Sequence, residues 1–553
     1  MLEQTRVIPF WFLNDNLKTG KETAQLEKMA DAGVKELIVC ARQGLPKGLY
    51  LSEGWFDHFG HILNEAKRLG MGVWIYDDFN WPSGTMGGKL TQNGSPYVAK
   101  VLGYQHGEFS VKPSSFQLPY QHRAYIDVLN TEACSEFING THEEYKKRFG
   151  ADFGSSIKGF FTDEPGFYAN LFGFVDGGTL PYTDDILEEF ENRRGYNPRE
   201  MLHYIWEEKG EPSRTIRQDY FLTLSELYPE RFLGRLSDWC HENKLLLIGH
   251  LLPEEKPLDF VKSQADPIAA AGQFDWAGFD IISAFSKSHQ ISATFARSIA
   301  QIYNLPEIMA EAFGGFGWEM PPSEIKRVSN WLVEQGTGII VPHALYNSIR
   351  NGRRHESPPS LMETPYWDEF RALLRSFPAN VAEHKRQPAD TAIYYPIKAL
   401  WADYNPRDEG RAREISNTLH DITLAMPNAD YINDDVLMGR NHSYRHIVLP
   451  RARTLPIESA RSIKEHLQSG GKVTIVGEYP KFAQKPKNQA EFLQIMNHLY
   501  MQPKVDFIPM VVSDSSTASR LEALQYRVWH ELTIVSPLLG ALMIRAKHLL
   551  LGK

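Results

Sequence analysis

The chain alternates between two kinds of hydrophobic pattern. Short apolar runs rich in β-branched and aromatic residues recur, and amphipathic stretches fill the gaps between them. Eight runs stand before residue 345. They are "VIPFWFLN" (7–14), "ELIVCAR" (36–42), "MGVWIYD" (71–77), "IKGFFTDE" (157–164), "LLLIGH" (245–250), "GFDIIS" (278–283), "EIMAEAF" (307–313) and "GIIVPHA" (338–344). Stretches between them, such as "GKETAQLEKMADAG" and "FDHFGHILNEAKRLG", repeat apolar positions at helical spacing and end in glycine, as helix C-termini often do. Strands alternating with helices pair in parallel, and eight of them predict a (β/α)8 TIM barrel. Connections 78–156 and 165–244 are long, so both must carry inserted structure. The sixth run has no clear entry from the preceding "AAAGQFDWAG".

A second pattern begins near residue 390. "TAIYYP" (391–396), "HIVLP" (446–450) and "KVTIVG" (472–477) read as strands, with "REISNTLHDITLAM" and "IESARSIKEHLQSGG" as helices between them. This predicts a smaller doubly wound α/β domain. The expected organisation is a catalytic barrel over 1–388, the α/β domain over 389–512, and a segment without assigned structure over 513–553. Within that segment "LTIVSPLLGALMI" (532–544) is apolar for 13 residues. That is short of the ~20 a spanning helix needs, so it reads as a buried or interface helix.

Composition narrows the function. Of 553 residues, 42% are hydrophobic and 23% charged, as in a soluble globular protein. The net charge of −9 is spread without a basic block, which argues against nucleic acid and anionic membranes as partners. Three cysteines, Cys40, Cys134 and Cys240, form neither a disulfide framework nor a zinc motif. All three precede the second domain, which therefore cannot use a cysteine nucleophile and is expected to be structural or oligomerising. The N-terminus lacks signal-peptide order, so the expected location is cytoplasmic. No phosphate-binding glycine motif is present, "GGFGW" lacks the strand–helix context of a dinucleotide site, and no lysine ends a predicted strand. No cofactor is expected.

In a barrel the chemistry sits at the C-terminal strand ends. The fourth run ends on Asp163-Glu164-Pro165, and the proline stops the ladder because it has no N–H to donate. The seventh ends on Glu311. Two carboxyl groups facing each other across a pocket are what glycosidic bond cleavage needs, one protonating the leaving oxygen and the other attacking the anomeric carbon or activating water. A bland alternative has Asp163 capping a helix and Glu164 in a solvated loop.

"TDEP" on the fourth strand with a glutamate ending the seventh resembles the retaining glycoside hydrolases of clan A. There the acid/base sits in Asn-Glu-Pro and the nucleophile ends strand 7. The resemblance implies Glu164 as acid/base and Glu311 as nucleophile. Asp163 stands where the clan has the asparagine that contacts the sugar 2-hydroxyl, which puts that inherited contact in question. A barrel followed by an amidotransferase-like domain is similar to the trimeric β-galactosidases of family 42 and the β-mannosidases of family 164, which implies a homo-oligomer, a trimer. "WFLNDN", "YDDFNWPSG", "EAFGGFGW" and "SIRNGRRHESPP" are also similar to chains grouped with the α-L-rhamnosidases of family 106. That family inverts and uses calcium. The expectation is an exo-acting retaining glycoside hydrolase; an inverting rhamnosidase-like enzyme and a non-catalytic carbohydrate-binding barrel are the alternatives.

Around the pair, Trp11, Trp81 and Trp318 fall at strand ends, where an indole could cover the apolar face of a sugar or pack in the core. Ten of the twelve tryptophans precede residue 390, which favours a use specific to the barrel. Asp15, Arg42, Asp77, Asp78, Asp163, His250 and His343 fit hydroxyl recognition by charge-assisted hydrogen bonds. Asp77-Asp78 could bind a cation instead, but no calcium-loop spacing accompanies them, so no metal is expected. Arg350, Arg353, Arg354 and His355 form either a solvated basic loop or a contact to an acidic or branched substrate.

Overall fold

The computed structural model describes residues 6–119, 123–168, 178–350, 362, 364–365, 367–380, 389–439 and 443–509. The basic loop beyond Arg350, the apolar run 532–544 and the segment 513–553 lie outside the described residues.

All eight early runs are strands. The first is split by Pro9 into β1 (Arg6–Val7) and β2 (Phe10–Leu13). Then come β3 (Glu36–Ala41) and β4 (Gly72–Phe79), followed by a hairpin, β5 (Lys100–Gln105) and β6 (Glu108–Pro113). The fourth run is β7 (Ile157–Asp163), and β8 (Thr179–Tyr182) lies in the insertion after it. The rest are β9 (Leu246–His250), β10 (Ala277–Ile281), β11 (Ile308–Ala312), β12 (Ile339–Pro342) and β13 (Leu345–Tyr346). All but β5, β6 and β8 pair in parallel in two sheets, ordered β1-β12-β11-β10 and β13-β2-β3-β4-β7-β9. Pro9 has no N–H, yet its carbonyl accepts from Ile38 at 3.0 Å while Ile8 N–H reaches the Ile340 carbonyl at 2.9 Å. The first run therefore carries the chain from one sheet into the other. Between β9 and β10 the backbones touch: a Cβ on Gly278 would lie 1.9 Å from the Gly249 carbonyl oxygen.

Side-chain alternation sorts each strand. Phe10, Phe12, Ile38, Cys40, Trp74, Tyr76, Phe161, Ile248, Met309, Ile339 and Val341 form one inner cluster. Their neighbours, such as Val39, Val73, Phe160, Leu247, Phe279 and Ala310, pack outward on the helices. Helix Glu53–Arg68 illustrates the fit. Ser52 caps it by accepting from Trp55 N–H, and Trp55, Phe56, Phe59, Ile62, Leu63 and Ala66 make its buried stripe. Each of the larger side chains in that stripe contributes about 1.5–3 kcal/mol by leaving water.

The two long insertions are one structure. β5 pairs antiparallel with β6 and with β8, which joins the insertion after the third run to that after the fourth. The sequence foretold two insertions but not their union.

The later strands are β14 (Thr391–Tyr394), β15 (Asp430–Ile432), β16 (His446–Pro450), β17 (Thr454–Leu455), β18 (Lys472–Val476), β19 (Phe482–Ala483) and β20 (Val505–Ile508). Five of them form a parallel sheet in the order β15-β14-β16-β18-β20, one known for doubly wound sheets. One face of this sheet has its own core, including Ala392, Tyr394, Ile447 and Ile475. Ile393, Tyr431 and Val448 of the other face join the first core. A buried ion pair crosses there: Arg297 of helix His289–Ile302 donates to Asp430 Oδ1 at 3.0 Å and to the Ala429 carbonyl at 2.8 Å. No helix among the described residues is long and apolar enough to cross a membrane.

Removing one partner of a buried pair strands the other charge, so Arg297→Met should cost about 3–5 kcal/mol in urea unfolding. Adding Asp430→Leu should restore most of it. A single-variant cost below about 1 kcal/mol would show that the pair does not hold the second sheet in place.

Candidate active site

Adjacent strands set polar side chains at matched levels. Asp163 of β7 stands opposite His250 of β9, and Asp280 of β10 stands opposite Glu311 of β11. The flanking residues Phe279, Ile281, Ala310 and Ala312 pack outward, so alternation turns Asp280 and Glu311 inward. His250 is the centre. Its Nε2 lies 3.0 Å from Glu311 Oε2 and 3.5 Å from Asp163 Oδ1. Its Nδ1 lies 3.5 Å from Glu164 Oε1 and 3.6 Å from Glu254 Oε1. All these residues are buried.

Strict alternation cannot send both Asp163 and Glu164 inward. Glu164 escapes it with a left-handed backbone, φ 49°, a conformation that costs a non-glycine residue about 1–3 kcal/mol. Its surroundings hold it there. Its N–H reaches the His250 carbonyl at 3.2 Å, and its own carbonyl accepts from Tyr168 Oη at 2.6 Å. The Pro165 carbonyl accepts from Tyr228 Oη at 2.8 Å and from Gln264 Nε2 at 3.2 Å. Gly166 has no room for a side chain, since a Cβ would meet Gln264 Nε2 at 2.6 Å. Trp81 donates its indole N–H to Glu164 Oε2.

Burial, and then the Glu311 charge, push Asp163 up to about 6. Burial pushes Glu164 well above the usual carboxyl range; His250 opposes this, while Asp163, Glu254 and Glu311 add to it. Glu254 rises to about 7, mainly by burial, and Asp280 rises well above its usual value through burial and then Glu311. For His250 burial acts downward, but hydrogen bonds to Glu254 and Glu311 and the charge of Glu164 outweigh it, so the imidazole is held well above its ordinary pKa. The cluster thus shares protons instead of carrying a full set of charges.

Asp163, His250 and Glu311 each offer a ligand atom within 4.8 Å of the others, a spacing that could hold a metal ion. Calcium takes about six to eight oxygens. Here the third donor is an imidazole nitrogen already directed at a carboxylate, so the set does not fit calcium.

Of the residues singled out from sequence, Arg42, Trp81, Asp163 and His250 meet around the two glutamates. Arg42 Nη1 donates to Tyr76 Oη at 3.2 Å, and Tyr76 Oη donates to Asp163 Oδ2 at 2.6 Å. Trp318 packs against Tyr346, with ring centroids 5.5 Å apart, and His343 packs edge-on to Phe12 at 4.9 Å. Asp15 is half-buried in the loop after β2 and accepts from Asn16 N–H at 2.7 Å.

Three placements differ from the expected sugar contacts. Trp11 faces outward, is fully buried, and donates to Gln25 Oε1 at 3.0 Å on helix Thr19–Asp31. Alternation along β2 puts Phe10 and Phe12 inside instead. Asp78 accepts N–H bonds from Phe79 at 2.7 Å, Gly84 at 2.9 Å, and Thr85 and Gly87 at 2.5 Å. It organises the glycine-rich loop and has no capacity left for a cation or a sugar. Asp77 Oδ1 accepts from Ser83 Oγ at 2.5 Å, and Ser83 Oγ accepts from Asp163 N–H at 2.8 Å. These two aspartates therefore brace the end of β7.

Sequence reasoning missed Glu254, Asp280 and Tyr76. Asp280 sits in the run with the unclear entry, and its signal was an acid alternating with outward-packing apolar residues.

The glycoside hydrolase family 106 model, described as alpha-L-rhamnosidase, matches residues 121–359, less than half of the chain but including both glutamates. A protein of Formosa agariphila named as a beta-glucuronidase is 23% identical over 386 residues, which are 65% of this chain and 30% of that protein. The chain thus spans under a third of that relative's length. A rhamnosidase structure from Novosphingobium sp. PP1Y superimposes with a TM-score of 0.62 at 14% identity, covering 95% of this chain and 74% of that one. A β-galactosidase structure from Bacillus circulans sp. alkalophilus gives 0.60 at 13% identity, covering 87% and 72%. The fold is that of these α/β structures with mostly parallel sheets, and the comparisons support a glycoside hydrolase.

Glu254 holds a proton more tightly in the folded chain, at about 7 against an ordinary 4.5. Its contribution to stability is therefore present below 4.5 and lost as pH rises through about 7. Glu254→Gln should flatten the fall of urea stability across that window, by at most about 3 kcal/mol. Identical pH slopes for the two proteins would show that Glu254 does not titrate this way.

Proposed function

We propose that the chain is an exo-acting glycoside hydrolase that releases a terminal sugar with retention. In this reading the two parallel sheets form one (β/α)8 barrel, and the doubly wound sheet over 389–512 is a separate domain that makes a homo-oligomer. Glu164 is the acid/base and Glu311 the nucleophile. The observation that carries the reading is that these two glutamates address opposite nitrogens of one buried imidazole.

Glu164 enters the reaction protonated, as its burial favours, and gives that proton to the departing oxygen. Glu311 attacks the anomeric carbon, and the ester it forms consumes its charge. Glu164, now ionised, then takes a proton from the water that cleaves the ester. The Trp81 indole N–H on Oε2 keeps the carboxyl oriented through both steps. Resemblance favours a β-galactoside or β-mannoside.

A second reading is inversion with an α-L-rhamnoside-like substrate, favoured by the family match over 121–359. Retention needs carboxyl groups about 5–5.5 Å apart and inversion about 6.5–9.5 Å. The anomer first released, read by proton NMR, decides between them. Any turnover excludes a purely sugar-binding role.

Glu311→Gln should abolish turnover while the protein stays folded, because an amide cannot form the glycosyl ester. Near-normal activity would remove Glu311 from that role. Glu164→Ala should slow an alcohol leaving group about 10²–10⁴-fold more than dinitrophenolate. The dinitrophenyl substrate should show a burst, and azide should restore its turnover. Equal slowing of both substrates, without burst or azide rescue, would mean that Glu164 is not the acid/base.

A further inference from the structure

One oxygen of the carboxyl group on the strand beside Glu311 has no hydrogen bond among the described residues. Asp280 is 7% exposed, and its Oδ1 is buried with no hydrogen bond to any described residue. A buried polar atom without a partner costs about 1–3 kcal/mol, so a chain keeps one where something else fills it. The position that would bind the sugar by clan resemblance, Asp163, is occupied: Oδ2 accepts from Tyr76 and Oδ1 faces His250.

We propose that Asp280 accepts a hydrogen bond from the hydroxyl on the carbon next to the reacting one, so that this contact comes from β10 and not from β7. The inference rests on the assignment of Glu311 as the residue at the anomeric carbon. Asp280 and Glu311 are register partners on neighbouring strands, whose spacing is about 4.8 Å. An atom within reach of Asp280 then lies one or two bonds from the atom that Glu311 contacts. Three polar atoms lie within two bonds of the anomeric carbon. The ring oxygen has no proton to donate. The leaving oxygen takes its proton from Glu164. The C2 hydroxyl remains, and it can donate to a carboxyl oxygen. Asp280 is thus a binding residue whose contact strengthens as charge develops at the neighbouring carbon.

The test is a cycle between protein and substrate. Wild type is screened with 4-nitrophenyl β-D-galactoside, β-D-mannoside and α-L-rhamnoside, and the best substrate is compared with its 2-deoxy counterpart. Asp280→Ala should lower kcat/KM about ten- to a hundredfold on the 2-hydroxy substrate and hardly at all on the 2-deoxy one. The intrinsic reactivity of the 2-deoxy sugar cancels in that comparison. Asp280→Asn, which keeps an acceptor of the same shape, should recover part of the loss and should melt no lower than wild type, because it replaces an acid buried beside Glu311, Glu164 and Glu254 by a neutral amide.

An equal loss on both substrates would overturn the inference, since Asp280 would then act on the reaction or the fold and not on the C2 hydroxyl. A loss under about twofold on the 2-hydroxy substrate would also overturn it, leaving Asp280 to hold a water. If wild type hydrolyses none of the three glycosides while remaining folded, the proposed galactoside or mannoside reading and its rhamnoside alternative fall, and the inference resting on them falls too.

Discussion

The arrangement of the site depends on a single imidazole. His250 stands among four carboxylates, two at each ring nitrogen, in a place without bulk water to screen them. Acids this close would expel one another or bind protons until the repulsion fell. A protonated imidazole lets them remain together, and it does so with direction, because the ring presents one N–H to the β7 and β11 side and the other to Glu164 and Glu254. The ring's rigidity thus separates the two glutamates that the proposed reaction uses. It also fixes what the strands must do: β7, β9, β10 and β11 have to be in step, because a slip of one residue would turn an acid toward the helices.

Much of this was legible in the chain. Every apolar run read as a strand among the described residues is one within a residue or two, because parallel strands buried on both faces leave an almost continuous hydrophobic trace. Glu164, Glu311 and His250 were legible as polar residues ending such runs. Trp11 was misplaced because adjacency to a strand end does not say which face a side chain takes. Phe10 and Phe12, two apolar residues at the alternate positions, were the signal that Trp11 points outward. Asp77 and Asp78 misled for a different reason. A carboxylate before a glycine-rich loop looks equally suited to a ligand and to the loop's own amides, and here the amides of Gly84, Thr85 and Gly87 take Asp78.

Other features had no local signature. The left-handed conformation of Glu164 is imposed from outside, through Tyr168, Tyr228 and Gln264, which come from parts of the chain that no spacing rule links to "TDEP". Asp280 was hidden because its run begins without a clean boundary. The strands β15 and β20 were too short or too polar to stand out, although the order of their sheet follows once they are present.

The three-stranded antiparallel sheet bears on how this fold can be altered. Folds built on parallel sheets are usually pictured as a scaffold with interchangeable loops, each free to vary by itself. Here β5 and β8 bind the excursion that follows the Trp81 loop to the one that follows Glu164. The two are a single graft with two roots. Replacing either alone would expose the other's hydrogen-bonding edge. Diversification at this end of the parallel sheets must therefore proceed by joint exchange, with the orientation of Glu164 and the shape of the roof above it inherited together.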